Sequence, residues 1–165
     1  MRRLALSLVL LLITACAAPQ VVQPHGQQAD FVLVDKSDRV LELYRDGRLL
    51  KRYTGIALGD APAGHKRFEG DERTPEGRYT IDTRNSASAY HLSLRIDYPN
   101  AVDREYAAAR GRSPGGDIFI HGQPNGSPIA RLPGDWTDGC IAVSNAEIAE
   151  LWGTIADGTP IEIRP

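Results

Sequence analysis

Cysteine, methionine and aromatic residues are scarce in this chain: two Cys, one Met, and 7% Phe, Trp and Tyr among 165 residues. Two cysteines are too few for a scaffold built on disulfides. Neither sign of charge dominates, and a formal net charge of −2 offers no basic field for nucleic acid. No apolar run reaches the roughly 20 residues that a membrane-spanning helix needs. The longest, Leu4 to Ile13, is broken only by Ser7. What is present points to a globular protein. At 42% hydrophobic residues the chain is too apolar for disorder, and its length suits one domain with a real core.

The N-terminus reads as an address rather than as structure. Met1-Arg2-Arg3 followed by the apolar run has the shape of a secretory signal over residues 1–15. Ile13-Thr14-Ala15-Cys16 resembles a bacterial lipobox, in which the cysteine is lipidated and becomes the new N-terminus. The alternative is ordinary cleavage after the small-x-small sequence Ala15-Cys16-Ala17, which discards Cys16. Both readings imply export to the periplasm or cell envelope; the first adds a lipid anchor to a membrane. Residues 16–29, rich in Gln and Pro and free of charge, read as a flexible tether to a domain over 30–165. Removing Arg2 and Arg3 leaves 17 basic against 21 acidic residues. It also leaves Cys140 without an intramolecular partner. A lone thiol in an oxidising compartment is a liability unless it has a chemical task.

Periodicity beyond residue 30 is mainly that of strands. Phe31–Val34, Val40–Tyr44, Arg78–Asp82, His91–Ile96, Asp117–His121, Cys140–Val143 and Pro160–Ile163 fit half-buried or buried strands. Asp46-Gly47 predicts a two-residue hairpin, with the third strand running from Tyr53 to Leu58. Two short helices are expected. One is Ala-rich, from Ala101 to Arg110; the other is capped by Asn145 and stopped at Gly153. The expected class is mainly β, a sandwich or barrel-like sheet with two or so helices rather than βαβ winding.

Three segments concentrate residues able to do chemistry. They are Gly59–Tyr79, with Asp71 and Thr74-Pro75-Glu76-Gly77; Gly115–Gly122, ending in His121-Gly122; and Asp135-Trp136-Thr137-Asp138-Gly139-Cys140. A thiol at neutral pH needs a base or a positive potential nearby, and a histidine supplies both. His121 closes one strand and Cys140 opens another 19 residues on, so neighbouring strands would join them across a flap.

These motifs resemble the YkuD-type L,D-transpeptidase catalytic domain, whose pattern is His-Gly or His-Ser followed by Ser/Thr-His-Gly-Cys. Here His121-Gly122 and Thr137-Asp138-Gly139-Cys140 match, with Asp138 where most members carry a second His. The resemblance spans about residues 30–165 and implies the fold, the substrate and the roles. Cys140 is then the nucleophile that attacks the third residue of a peptidoglycan tetrapeptide stem and expels the terminal D-alanine. His121 moves the proton, and the Gly122 carbonyl orients the ring. Backbone N–H groups of Gly139, Cys140 and Asp138 hold the oxyanion, and no metal or nucleotide cofactor is needed. The acceptor is another stem, the lysine of a wall-attached lipoprotein, a D-amino acid or water. Water would make the protein an L,D-carboxypeptidase or a hydrolase, and a third reading is a wall-binding lipoprotein without catalysis. Asp138 leaves the acceptor open, because a carboxylate beside the thiol disfavours thiolate.

Other residues admit two readings. Trp136 is a core anchor or a wall of the cleft, and Thr137 lies beside the site. Arg95 and Tyr98 meet stem carboxylates or close a packed strand. The Gly59–Gly77 stretch lacks the Gly-Lys-Ser/Thr of a phosphate loop and is a surface loop or a substrate-side flap. His25 falls in the tether, while His65 and His91 read as surface or rim residues, and no spacing resembles a zinc site.

Overall fold

The computed structural model describes residues 28–165, so the signal segment, Cys16, His25 and nearly all of the tether lie outside the described residues. Eight strands follow from the alternation noted above. They are β1 (Phe31–Asp35), β2 (Val40–Arg45), β3 (Arg48–Thr54), β4 (Gly77–Asn85), β5 (Ser93–Ile96), β6 (Ile118–His121), β7 (Ile141–Ala142) and β8 (Thr159–Arg164). Two helices, α1 (Ala101–Ala108) and α2 (Asn145–Thr154), complete the fold. The strands form one sheet in the order β3-β2-β1-β8-β4-β5-β6-β7. β1 with β8 and β6 with β7 are parallel, and the other neighbours are antiparallel.

The sheet curls until its ends meet. Beyond β3 the chain returns to β7, and Ala57 and Ala142 exchange two backbone hydrogen bonds of 2.9 and 2.8 Å. The barrel-like form of the expected all-β class is therefore the one adopted. Its inner face carries Val32, Val34, Leu41, Ile81, Leu94 and Ile120, all fully buried. α2 lays the fully buried Ile148 and Leu151 against this core. Each such side chain contributes about 2 kcal/mol relative to exposure.

Local chemistry explains where the elements differ from expectation. Asp46 and Gly47 have φ of +50° and +71°, so the hairpin turn is the expected one. β3 nevertheless starts directly after it and ends at Thr54, with Gly55 at φ +66°. As an outer strand it is mostly exposed on both faces, with apolar Leu49 and Leu50 adjacent rather than alternating, which hides its period of two. Residues 56–58 instead form the return to β7. α2 is capped by Ser144, whose Oγ accepts the Glu147 N–H, and not by Asn145. The Asn145 Oδ1 is occupied with the Gln123 N–H at 2.8 Å. The helix also runs through Gly153 to Thr154, and α1 ends at Ala108 rather than Arg110.

Candidate active site

β6 and β7 lie side by side in parallel, pairing Ile120 with Ile141 and His121 with Ala142, so Cys140, just before β7, falls opposite Phe119 on the face that also carries His121. That brings His121 and Cys140 to the same cleft, about 500 Å³ in volume and walled also by Tyr90, Ser93, Asp117 and Trp136. The crossover between the strands is tied down at several points. Gln123, only 1% exposed, donates from Nε2 to the Val143 carbonyl and accepts the Leu132 N–H at Oε1. Asp135 accepts from Arg39 and from the Leu58 N–H. The Trp136 and Thr137 N–H groups both donate to the Leu58 carbonyl. Gly139 sits at φ +131°, and a Cβ there would lie 2.6 Å from the Arg73 carbonyl oxygen, so only glycine fits beneath the cysteine.

The hydrogen bonds assign protons. His121 Nδ1 lies 2.7 Å from the Gly122 carbonyl oxygen, which can only accept, so Nδ1 carries the hydrogen and Nε2 keeps its lone pair. Burial lowers the imidazole pKa, and the Gly122 carbonyl partly restores it. The Cys140 Sγ donates to the Asp117 carbonyl at 3.6 Å and accepts the Phe119 N–H at 3.4 Å, the pattern of a protonated thiol. Burial pushes that thiol up to about 11; the Phe119 N–H and Lys66 oppose the shift, while Asp138 and Asp117 add to it. Thiol and imidazole are therefore both neutral at rest, and each is held by backbone partners rather than as a standing ion pair. The His121 ring is boxed by aromatic neighbours, with the Tyr90 centroid at 4.5 Å and that of Trp136 at 5.8 Å.

The structure revises several expected roles. The Gly139 N–H donates to the Thr137 Oγ1 at 3.2 Å, and that hydroxyl donates to the Cys140 carbonyl at 2.7 Å. Gly139 is thus spent on the turn, and the N–H groups of Asp138 and Cys140 are left for an oxyanion. Thr137, 5% exposed, shapes the same turn and also lines the cleft. Arg95 is held by both oxygens of Asp82, at 2.9 and 2.6 Å, and lines the adjoining groove rather than the cleft itself. Tyr98 is buried, donates to the Pro114 carbonyl and packs edge-on against Tyr79, so the packed-strand reading applies. Trp136 does wall the cleft, and its Nε1 is buried without a protein partner among the described residues.

The Gly59–Gly77 stretch packs behind the Thr137–Cys140 turn and lines an adjoining groove through Lys66, Glu69, Gly70 and Glu72, while contributing no residue to the cleft lining itself. Gly59 pairs with Thr137, Thr74 Oγ1 accepts the Gly59 N–H, and Asp71 gathers Lys66 with the backbone of Arg67, Phe68 and Arg73. His65 is a packed structural residue, bonded to Asp103 and to the Glu76 N–H, while His91 is exposed. Tyr90 and Gln123 carry no local signal. Neither belongs to a motif, and each acts through partners distant in sequence.

Comparison with known proteins agrees with this arrangement. Residues 29–163 match the YkuD model, the L,D-transpeptidase catalytic domain. The chain belongs to that family. Solved structures resemble this L,D-transpeptidase domain as well. Pgp2, the helical cell shape determining protein of Campylobacter jejuni, is 31% identical over 83% of this chain and 48% of its own, with a TM-score of 0.66. Bd1075 of Bdellovibrio bacteriovorus is 30% identical, covering 83% of this chain and 48% of that one, at a TM-score of 0.57. An L,D-transpeptidase from Xylanimonas cellulosilytica shares the fold at 18% identity, 85% and 62% coverage and a TM-score of 0.52. This chain thus spans about half the length of Pgp2 and Bd1075. Among curated proteins no match is found.

Proposed function

We propose that the protein is an exported enzyme, lipid-anchored through Cys16, that performs cysteine-dependent L,D-transpeptidation on peptidoglycan tetrapeptide stems. The observation that carries this reading is the His121 tautomer, which leaves Nε2 as a base in the cleft that also holds the Cys140 thiol. Nε2 takes the thiol proton as Sγ attacks the carbonyl carbon of the third stem residue. The carbonyl oxygen becomes an oxyanion between the N–H groups of Asp138 and Cys140. Collapse expels the terminal D-alanine, to which the imidazolium returns the proton, and leaves a thioester on Cys140. An amine from a second stem then attacks the thioester, gives its proton to Nε2 and releases the cysteine. The Gly122 carbonyl stabilises the imidazolium that appears twice in the cycle and keeps the ring from turning.

Mass spectrometry of a purified tetrapeptide stem incubated with the protein tests the reading. A cross-linked dimer, or an exchange product with an added amine, is expected. Tripeptide alone would make water the acceptor and the enzyme a carboxypeptidase. Unchanged stem with wild-type protein, or identical products from Cys140→Ala, overturns the enzyme reading.

A further inference from the structure

A second surface lies beside the cleft. Arg67, Arg104, Arg110 and Arg112 gather around α1 and the two loops packed near it, and none of them takes part in an ion pair among the described residues. Two nearby carboxylates are spoken for, Asp103 by His65 and Tyr79, and Asp71 by Lys66. Glu69, Glu72 and Glu105 are the other acids close by in these segments. The patch is thus locally basic in a domain whose described residues are acidic overall.

Three of these guanidiniums are held in place by aromatic rings. Arg67 lies 4.4 Å and Arg110 3.6 Å from the Tyr106 ring centroid, and Arg112 lies 3.8 Å from that of Phe68. The two rings are themselves 5.9 Å apart. Stacking fixes a guanidinium plane while leaving its edge N–H groups free, which is the geometry that grips a carboxylate with two parallel hydrogen bonds. Arg110 gives one N–H to the Tyr106 carbonyl, and Arg104 one to that of Pro99; Arg67 and Arg112 form no side-chain hydrogen bond among the described residues.

The patch borders a groove that adjoins the cleft, through residues next in sequence to its own. This groove, of about 670 Å³, shares Gly116, Asp117 and Asp138 with the cysteine cleft and runs to Lys66, Glu69 and Ser113. There the Glu69 N–H donates to the Ser113 carbonyl at 2.9 Å, joining the loop of Arg67 and Phe68 to that of Arg112. The groove itself carries Glu69, Glu72, Asp117 and Asp138 against Lys66 and Arg95, so a ligand with acidic groups at intervals, one end at Cys140, meets its cations beyond the groove, at the arginines.

We propose that the guanidinium–aromatic patch formed by Arg67, Arg110 and Arg112 on Phe68 and Tyr106 binds a second carboxylate-bearing stem of the peptidoglycan polymer whose first stem occupies the cysteine cleft. The proposal rests on the stem-peptide reading of that cleft. Two points of attachment raise the effective concentration of the polymer at the thiol without altering the site itself. The patch therefore favours intact wall over single stems.

The test uses the protein carrying Cys140→Ala and purified sacculi in a pelleting assay. Adding R67Q, R110Q and R112Q should weaken pelleting about tenfold, as the loss of three exposed charge contacts does. Raising salt, or converting the stem carboxylates of the sacculi to amides, should weaken the parent similarly and the triple variant little. In the background with Cys140 intact, the three substitutions should leave turnover of a soluble tetrapeptide unchanged and slow turnover of sacculi. Pelleting of the triple variant equal to its parent overturns the proposal. So does an equal loss of turnover on soluble stem and on sacculi. Arginine-dependent capture by phosphatidylglycerol vesicles with no effect on sacculi overturns it in favour of a membrane surface. Should the triple variant fail to fold by circular dichroism, R112Q alone with native and amidated sacculi gives the same comparison. Failure of unsubstituted protein to process soluble stem would sink the enzyme reading, yet leave the pelleting result readable.

Discussion

Two histidines, His121 buried and His65 half-buried, stand at two corners of this molecule, and their nitrogens are used in opposite ways. His65 accepts the Glu76 N–H at Nδ1, at 2.8 Å, and therefore donates from Nε2 to Asp103 at 2.9 Å. Asp103 also takes the Tyr79 hydroxyl and the Asn100 N–H, so the corner is closed. His121 donates from Nδ1 to the Gly122 carbonyl and turns Nε2 toward the cleft. Both rings are held by one backbone contact, but only His121 keeps a lone pair to spend. Holding a ring still and satisfying both its nitrogens builds structure; satisfying one builds a base.

The largest expected effects break this comparison by removing each ring in turn. Cys140→Ala should abolish product formation from a tetrapeptide stem. His121→Ala should lower kcat/KM by about 10² to 10⁴, the range for loss of a general acid–base. His65→Gln should stay within about twofold of wild type once its folded fraction is matched. A large loss of turnover in a folded His65→Gln protein would mean that the His65 corner is not merely structural.

Stability should rank the two histidines the other way. His65→Ala strands the Glu76 N–H and removes a donor from the buried Asp103, a cost of about 2–3 kcal/mol. His121→Ala strands only the Gly122 carbonyl at the margin of an open cleft, about 1 kcal/mol. Urea denaturation of the two variants measures the order. Equal losses would erase the distinction drawn from the hydrogen bonds.

pH sharpens the contrast. Burial holds the His121 pKa below its ordinary 6.5. On acidification the unfolded chain therefore takes a proton at this position before the folded one does. The stability conferred is complete above the unfolded value and is lost as pH falls below about 6.5 toward the folded pKa. His121→Asn should flatten that part of the curve of unfolding free energy against pH. The acid limb of kcat/KM should likewise fall below pH 6.5, because the imidazole must be neutral to accept the thiol proton. Without the ring, alkylation of Cys140 by iodoacetamide should follow a thiol titrating near 11. An unperturbed thiol profile in His121→Ala would contradict the burial of that sulfur.

Much of the His121 corner was legible from the residues alone, and little of the His65 corner was. Cys140 and His121 announce themselves through flanking glycines and strand ends, where chemistry needs a close backbone approach. His65 looks like a rim residue because Asp103 and Glu76, its partners, lie on separate elements and follow no spacing rule. The strands were visible wherever one face is buried. β3 lies earlier than expected because an outer strand exposed on both faces has no alternation to read. The oxyanion donor at Gly139 was misassigned for a related reason: Thr137 takes that N–H through a side-chain bond that sequence does not predict. Tyr90 and Gln123 were invisible, since their effect on the site comes from tertiary contact alone.

The smallest predictions concern the helix start next to each ring. α1 and α2 both open with a capping box, Asn100 with Asp103 and Ser144 with Glu147, but their neighbours do different work. In the closed corner the cap and the histidine share one carboxylate, Asp103, so cap and ring are coupled. In the open corner Ser144 and Glu147 close the cap without the histidine, and Asn145 is left to clamp the Gln123 N–H at the root of the crossover. Ser144→Ala should therefore cost about 1 kcal/mol and leave kcat unchanged, as loss of an N-cap does. Asn145→Ala should cost a similar amount but also lower kcat, because the crossover that presents Cys140 loses an anchor. If both variants lose stability and neither loses turnover, the clamp belongs to the fold and not to the positioning of the thiol.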